Sequence, residues 1–355
     1  MKVTDVFISG IGVHLPDTVP IEQAVADGLI AEGPARESGY TGAAVAGDVP
    51  PVDMALAAAR QALARSGQDP TGLSLLLYAD NYNNGPVGWY PQSYLQRHLV
   101  GGRLATAEVR QGCNGMFAAL ELAAGFLTGQ GPDAAAMTVA ADNISMPHVN
   151  RWQCLAPDFV VGDAASAVVL TRAAGVAQLL SVASTTVVEL EEMGRGREPL
   201  FPSRDDAAAW DLARRIADFQ VNVTARDDGE SPWLPLIKAR IEVIDQVLDE
   251  AGIEVSDVTR VAYNHSSRQH MEDGVLRTLG IGIDRSNWEF GRHLGHLGPS
   301  DQVIFLDHAL RSGELAHGDH LLMLGISPGL NIAAAVVRIL AAPSWSSSRP
   351  HRRTA

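Results

Sequence analysis

Two stretches of the chain repeat one pattern of apolar and polar positions. Gln61 to Asn81 reads QALARSGQDPTGLSLLLYADN and Gln246 to Ser266 reads QVLDEAGIEVSDVTRVAYNHS, with Leu63 and Leu248, Gly67 and Gly252, and Tyr78 and Tyr263 in register at one fixed offset. In each copy, apolar residues at 3.6 spacing up to the glycine predict a helix, and the short apolar run beyond predicts a strand. A second pair follows. In the first half a loop ending in Gly112 and Cys113 runs into NGMFAALELAAGFLTG, and in the second the loop GHLGPSD runs into QVIFLDHALRSG. The runs VVGDAASAVVL (Val160 to Leu170) and MLGISPGLNIAAAVVRI (Met323 to Ile339) predict the strands that close the halves.

Strands alternating with helices, some of them apolar all round, predict parallel-rich sheets covered on both faces. If the repeat is a true duplication, the body is a layered α/β unit with pseudo-twofold symmetry. Chance recurrence of helix-strand units is the competing reading. The expected boundaries are an N-terminal half over 1–172 and a C-terminal half over 173–341. Within the latter, residues 186–235 fit neither copy and read as a charged helical insertion, and 342–355 has almost nothing to bury and reads as a disordered tail.

Composition narrows the partners. With 27 basic against 41 acidic side chains in 355 residues, a formal net charge of −14 repels nucleic acid and anionic membranes. No apolar run approaches the roughly 20 residues needed to span a bilayer, and Met1 to Gly12 reads as a strand rather than a signal segment, so a cytoplasmic protein is expected. Two cysteines are too few for a disulfide framework or a cysteine-built metal site, and no metal is expected.

Each thiol is therefore weighed by its setting. Cys113 precedes a long apolar helix, where unpaired N–H groups and the macrodipole favour thiolate. It reads either as a nucleophile or as a small inert core residue. Cys154 has no histidine or glycine turn around it and reads as structural. Acyl transfer through a thiolate needs a base and oxyanion stabilisation. His265, directly after a strand, and His296, between glycines, are the candidates among eleven histidines. His265 is open to a structural or a catalytic role. Asp301, five residues beyond His296, reads either as a carboxylate that fixes the histidine tautomer or as an acidic first turn of a helix.

The order of Cys113 before an apolar helix, GDAASA at Gly162 to Ala167, the His265 loop, the Gly295-His296 loop and a final glycine-containing hairpin resembles ketoacyl-acyl carrier protein synthase III over residues 1 to 340. The resemblance implies a thiolase fold of five layers, αβαβα, a homodimer, an acyl-cysteine intermediate, and a donor thioester on coenzyme A or acyl carrier protein with no other cofactor. Condensing members carry Cys, His and Asn. Here Cys113 and His265 match, but His296 stands where the asparagine is expected. With Asp301, this resembles the ketosynthase III-like acyltransferases of polyketide and antibiotic pathways. It implies transfer of an acyl group, malonyl included, from Cys113 to the hydroxyl of a sugar or polyketide, with His296 as base and His265 acting on the acyl carbonyl or the leaving thiol.

Gly329, Ser327 and Asn264 are the expected oxyanion and acyl-pocket support, although Pro328 has no N–H to give. The Trp and Arg segment that grips coenzyme A in the family is replaced by Gly28 to Gly47. A carrier docking patch at Arg195, Arg197, Arg204, Arg214 and Arg215 is weighed against an ordinary solvated charged face. A decarboxylating synthase and a non-catalytic thiolase-fold subunit are the competing functions.

Overall fold

The computed structural model describes residues 1–345 except 83–84, 87, 156, 203–210, 226–230 and 232. The repeated pattern gives matching elements. Helix α1 (Pro51–Ser66) stops at Gly67 and leads through a 3₁₀ turn into strand β4 (Leu73–Ala79). After α2 (Gly115–Thr128) and α3 (Leu212–Ala225), helix α4 (Leu234–Ala251) stops at Gly252 and leads through another 3₁₀ turn into β9 (Val258–Ala262). Both glycines take the left-handed conformation that ends a helix, with φ of 67° and 72°. Helix α5 (Asp301–Ser312) follows the His296 loop.

The remaining strands are β1 (Phe7–His14), β2 (Thr18–Pro20), β3 (Gly42–Ala44), β5 (Ala105–Val109), β6 (Ala135–Asp142), β7 (Ala164–Thr171), β8 (Ala177–Thr186), β10 (His320–Ser327) and β11 (Asn331–Ile339). β2 and β3 form a small separate ribbon, and the others line up as β5-β4-β6-β7-β1-β8-β11-β10-β9. Read from either end, this order is nearly the same half-sheet twice. β9, β10, β11 and β8 take the places of β4, β6, β7 and β1, and the counterpart of β5 is reduced to one bridge between Val261 and Ser286. The halves join at the centre through a short β1–β8 pairing, Phe7 with Gln178 and Ile8 with Ala177.

The pairing sense corrects the parallel-rich expectation. β4–β5, β4–β6 and β9–β10 are parallel, whereas β6–β7, β1–β7, β8–β11 and β10–β11 are antiparallel. The sequence signal was burial on both faces, and a mixed sheet sandwiched between helices produces that as well as a parallel one. β4 shows how: Leu75, Leu77 and Ala79 face the central layer, and Leu76 and Tyr78 face the outer one.

That central layer holds α2 and α5, whose Met116, Phe117 and Leu120 meet Val303, Phe305 and Leu306 between the two half-sheets. α1 packs on the outer face of the first half-sheet and α4 on that of the second. The thiolase architecture of five layers, αβαβα, is thus realised. Where described, the insertion consists of a 3₁₀ turn (Val188–Gly194) and α3. The tail expectation needs correction at its start: Trp345 donates from Nε1 to Asp307 at 3.1 Å, and Arg65 lies over its ring at 5.2 Å. Residues 346–355, the rest of that expectation, lie outside the described residues. Among the described residues no helix is long and apolar enough to cross a membrane.

Candidate active site

β5 ends at Val109, and a turn through Gly112 delivers Cys113 just ahead of Asn114, the N-cap of α2. Gly112 has φ +56°, and a Cβ there would lie 3.1 Å from Ser327 Cβ and 3.2 Å from Pro328 Cδ, so glycine lets the β10–β11 hairpin close over this turn. Asn114 Nδ2 donates to the backbone and side-chain oxygens of Asn331 at 2.8 and 2.9 Å, tying the nucleophile turn to the opposite half.

The other partner arrives on the Gly295–Ser300 loop. The His296 N–H donates to Val160 O at 2.7 Å, and Gly162 N–H donates to His296 O at 2.9 Å, so the GDAASA run of one half grips the loop of the other. This sets His296 Nε2 2.9 Å from Cys113 Sγ and Nδ1 2.5 Å from Asp301 Oδ2. All three side chains are buried. Burial alone would drive the imidazole pKa down, but the Cys113 sulfur and the Asp301 carboxylate flank it, and His296 is held well above its ordinary value. The arrangement favours the imidazolium form of His296, held between the Cys113 sulfur and the Asp301 carboxylate.

Asp301 is the first residue of α5, so it meets the helix-start expectation and the tautomer-fixing one together. Its two oxygens also accept the N–H groups of His265 (2.9 Å) and Leu297 (2.8 Å). Burial pushes this carboxyl up, but the two histidines and these donors outweigh it and leave the pKa lowered.

His265 does not sit where the sequence reading put it. Its Nδ1 lies 2.9 Å from Gly295 O and 3.0 Å from Asp301 Oδ1, its Nε2 has no hydrogen-bond partner among the described residues, and its ring packs on Gly291 and Phe290. Two acceptors at Nδ1 fix the proton there. Burial lowers its pKa despite the neighbouring Asp301. The expectation that both imidazoles reach the sulfur is therefore corrected: His296 does, and His265 is a neutral buttress behind Asp301. Sequence alone could single out the two loops but not the depth at which each ring ends.

A cleft of about 110 Å³ opens on Cys113 and His296. Its sides are almost wholly apolar: Leu155 and Phe159, Ile326 and Pro328, and, from the insertion, Leu212 and Ile216. The insertion thus forms a wall of the site as well as covering the body. Ser327 lines the cleft, with its hydroxyl turned to Pro328 O at 3.4 Å. Gly329 stands beside Gly194, and Asn264 accepts the N–H of the cleft-lining Ile326 at 2.8 Å, so it stands behind the wall rather than in it.

Three of the arginines weighed as a docking patch have partners within the chain. Arg195 pairs with Glu191 and Glu192, Arg214 with Glu198 and Asp218, and Arg215 donates to Gly194 O. Arg204 lies outside the described residues. Cys154 is buried with Ile144 and Val161, and burial raises its thiol to about 11, which leaves it inert. Sequence reasoning missed Phe159, whose ring centre is 5.1 Å from that of His296. It also missed the Asn81–Asp142 pair beneath Gly298. Only the short spacing of Phe159 from the GDAASA run hinted at the first.

Comparisons with known proteins agree with this geometry. The family model described as 3-oxoacyl-[acyl-carrier-protein (ACP)] synthase III matches residues 107–186, and the model of its C-terminal part matches 248–339. β-Ketoacyl-[acyl-carrier-protein] synthase III of Thermosynechococcus vestitus is 28% identical over 293 residues, 81% of this chain and 83% of that protein. Among solved structures, ChlB3, an acyltransferase, superposes with a TM-score of 0.91 at 46% identity, covering 97% of this chain and all (100%) of its own. The synthase III of Aquifex aeolicus VF5 superposes at 0.73 with 20% identity, covering 94% of this chain and 99% of its own, a likeness of fold.

Proposed function

Because the chain belongs to the ketoacyl-acyl carrier protein synthase III family of thiolase fold, we propose that it is an acyltransferase that works through an acyl-Cys113 intermediate. The observation that carries the reading is the unbroken line from Cys113 Sγ through His296 to Asp301, at 2.9 and 2.5 Å. A histidine in this place is a base, where an asparagine would only donate.

The Cys113 thiolate attacks the carbonyl of a donor thioester on a phosphopantetheine arm, and the Cys113 N–H helps hold the oxyanion. The carbon–sulfur bond to the donor breaks, and the departing thiolate takes the proton of the His296 imidazolium. His296 is then a free base. It takes the proton of an acceptor hydroxyl as that oxygen attacks the acyl-cysteine, an ester leaves, and the thiolate-imidazolium pair returns. Asp301 holds the tautomer and balances the imidazolium charge throughout.

The cleft supports an uncharged acyl group over malonyl, because apart from His296, which has given up its proton once Cys113 is acylated, no basic side chain among the described residues lines it, and a carboxylate there would be desolvated without a counter-charge. The relatives named β-ketoacyl synthase keep the decarboxylating alternative in play, and it predicts carbon dioxide release from a malonyl donor. Intact-protein mass spectrometry after incubation with acetyl, longer-chain and malonyl thioesters tests the reading. A covalent adduct absent from Cys113→Ala is expected, formed more readily from the uncharged donors. No adduct, or one that survives the substitution, defeats it.

A further inference from the structure

Strands β4 and β6 run parallel with Ala79 beside Ala140, which brings Asn81, just past the end of β4, against Asp142, the last residue of β6. Asp142 accepts the Asn81 backbone N–H at 2.9 Å on Oδ1 and the Asn81 amide at 2.8 Å on Oδ2, and the Tyr82 N–H is a third donor.

The Asn81 amide, so held, touches both loops that deliver the reacting groups. A Cβ at Gly298 would lie 2.8 Å from its Nδ2, and one at Gly112 would lie 3.4 Å from its Oδ1. Gly112 directly precedes Cys113, and Gly298 is two residues beyond His296, so one side chain spaces the nucleophile turn from the base loop. Arg110, three residues before Cys113, grips the same residue from the nucleophile side: it donates to Asn81 O at 3.1 Å and lies 3.6 Å from Asp80.

The amide suits either charge state of the acid. Burial lifts the Asp142 carboxyl, Asp80 adds to the effect, the Asn81 and Tyr82 donors oppose it, and the result is about 8. At neutral pH the O–H of the acid needs an acceptor, and the Asn81 amide supplies one by turning its Oδ1 towards it. The other titratable and charged groups of the cluster are Asp80 with Arg110 and the hydroxyls of Tyr78 and Tyr82, which burial holds well above their ordinary value. Cys113 and Asp163 act on Tyr82 as well.

We propose that Asn81, locked by Asp142, is a positioning residue for the catalytic pair: it sets the gap between the Cys113 turn and the His296 loop, and with it the 2.9 Å approach of imidazole to sulfur. This takes Cys113 and His296 as the reacting pair and holds for any acyl acceptor.

Alkylation of Cys113 by iodoacetamide in the full chain, followed by peptide mass between about pH 6 and 9, tests it without a donor or an acceptor, because thiolate is the reacting form. Asn81→Ala is expected to react about three- to tenfold more slowly at neutral pH, the scale of one lost hydrogen bond. Asn81→Ser, which keeps a hydroxyl for Asp142 but is too short to meet both glycines, gives the same reading if the alanine variant fails to fold. Asp142→Asn still pairs with the amide and is expected to keep the wild-type rate at neutral pH, whereas Asp142→Leu, of similar size with no polar atom, falls to the level of Asn81→Ala. Only the wild type gains a negative charge at this position as the pH rises through about 8, so the ratio of its rate to that of Asp142→Asn changes there. Loss of acylation with alkylation intact counts against the acyl-transfer reading and leaves the positioning role standing. Wild-type alkylation in the Asn81 variants, even with a lowered melting temperature, shows a purely structural residue and overturns the proposal. Equal losses in Asp142→Asn and Asp142→Leu, or a ratio that stays flat with pH, overturn it too.

Discussion

The histidines around Asp301 set opposite limbs of the pH dependence of stability. His265 has its folded pKa below the ordinary 6.5, so below that pH the unfolded chain binds a proton that the folded one does not. Its contribution is present above 6.5 and lost as the pH falls towards the folded value. His296 has its folded pKa raised above 6.5, so its contribution is complete below that pH and lost as the pH rises through the folded value. Thermal unfolding across about pH 5 to 9 is expected to show a maximum, with the acid limb flattened in His265→Asn and the alkaline limb flattened in His296→Asn. An unchanged acid limb would mean that His265 is not held neutral. In catalysis, Asp301→Asn leaves His296 without its counter-charge and is expected to slow acyl transfer by about 10²- to 10⁴-fold, with the fold intact by circular dichroism. His265→Asn should cost less than Asp301→Asn, because its ring supports Asp301 without touching the sulfur. At this scale the sequence identified Cys113, His296 and Asp301 by type and spacing. It could not rank His265, since the depth of a ring depends on what packs on it, here Gly291 and Phe290.

Among the elements, the His296 loop is the most constrained. Gly298 has φ +59°, and a Cβ there would fall 2.5 Å from Asp142 Oδ2. Asp142 is itself buried, with its carboxyl raised to about 8 by burial, and it accepts both the backbone and side-chain N–H groups of Asn81 at 2.9 and 2.8 Å. Gly298→Ala is therefore expected to lower stability by about 1–3 kcal/mol through backbone strain and overpacking. It should also slow alkylation of Cys113 as His296 is displaced, and a variant with wild-type melting temperature and thiol reactivity would disprove the constraint. Helices and strands themselves were legible in the repeated pattern, because 3.6 spacing, glycine stops and short apolar runs are local properties. Pairing sense was not: β6–β7 and β10–β11 are antiparallel, and burial on both faces looks the same in either sense.

For the whole molecule, α2 and α5 share one core between the half-sheets, so neither half has a complete interior of its own. Tryptophan fluorescence and far-ultraviolet circular dichroism should report one coincident unfolding transition, and two separated transitions would show that the halves fold independently. Truncation before Trp345 removes an indole held by Asp307 and Arg65 and is expected to cost about 1–2 kcal/mol. The sequence by itself determined the repeated helix-strand pattern and the presence of a thiol, a base and a carboxylate, because these reside in local periodicity and in residue identity, while the thiolase class came from the resemblance to a known family. Tertiary structure alone decided that Cys113 and His296, from opposite halves, meet at 2.9 Å, that His265 is set behind Asp301, and that Phe159 packs beside His296 in the wall of an apolar cleft. Contacts between residues far apart in the chain depend on how layers stack and loops lock together, and no spacing along the sequence encodes that distance.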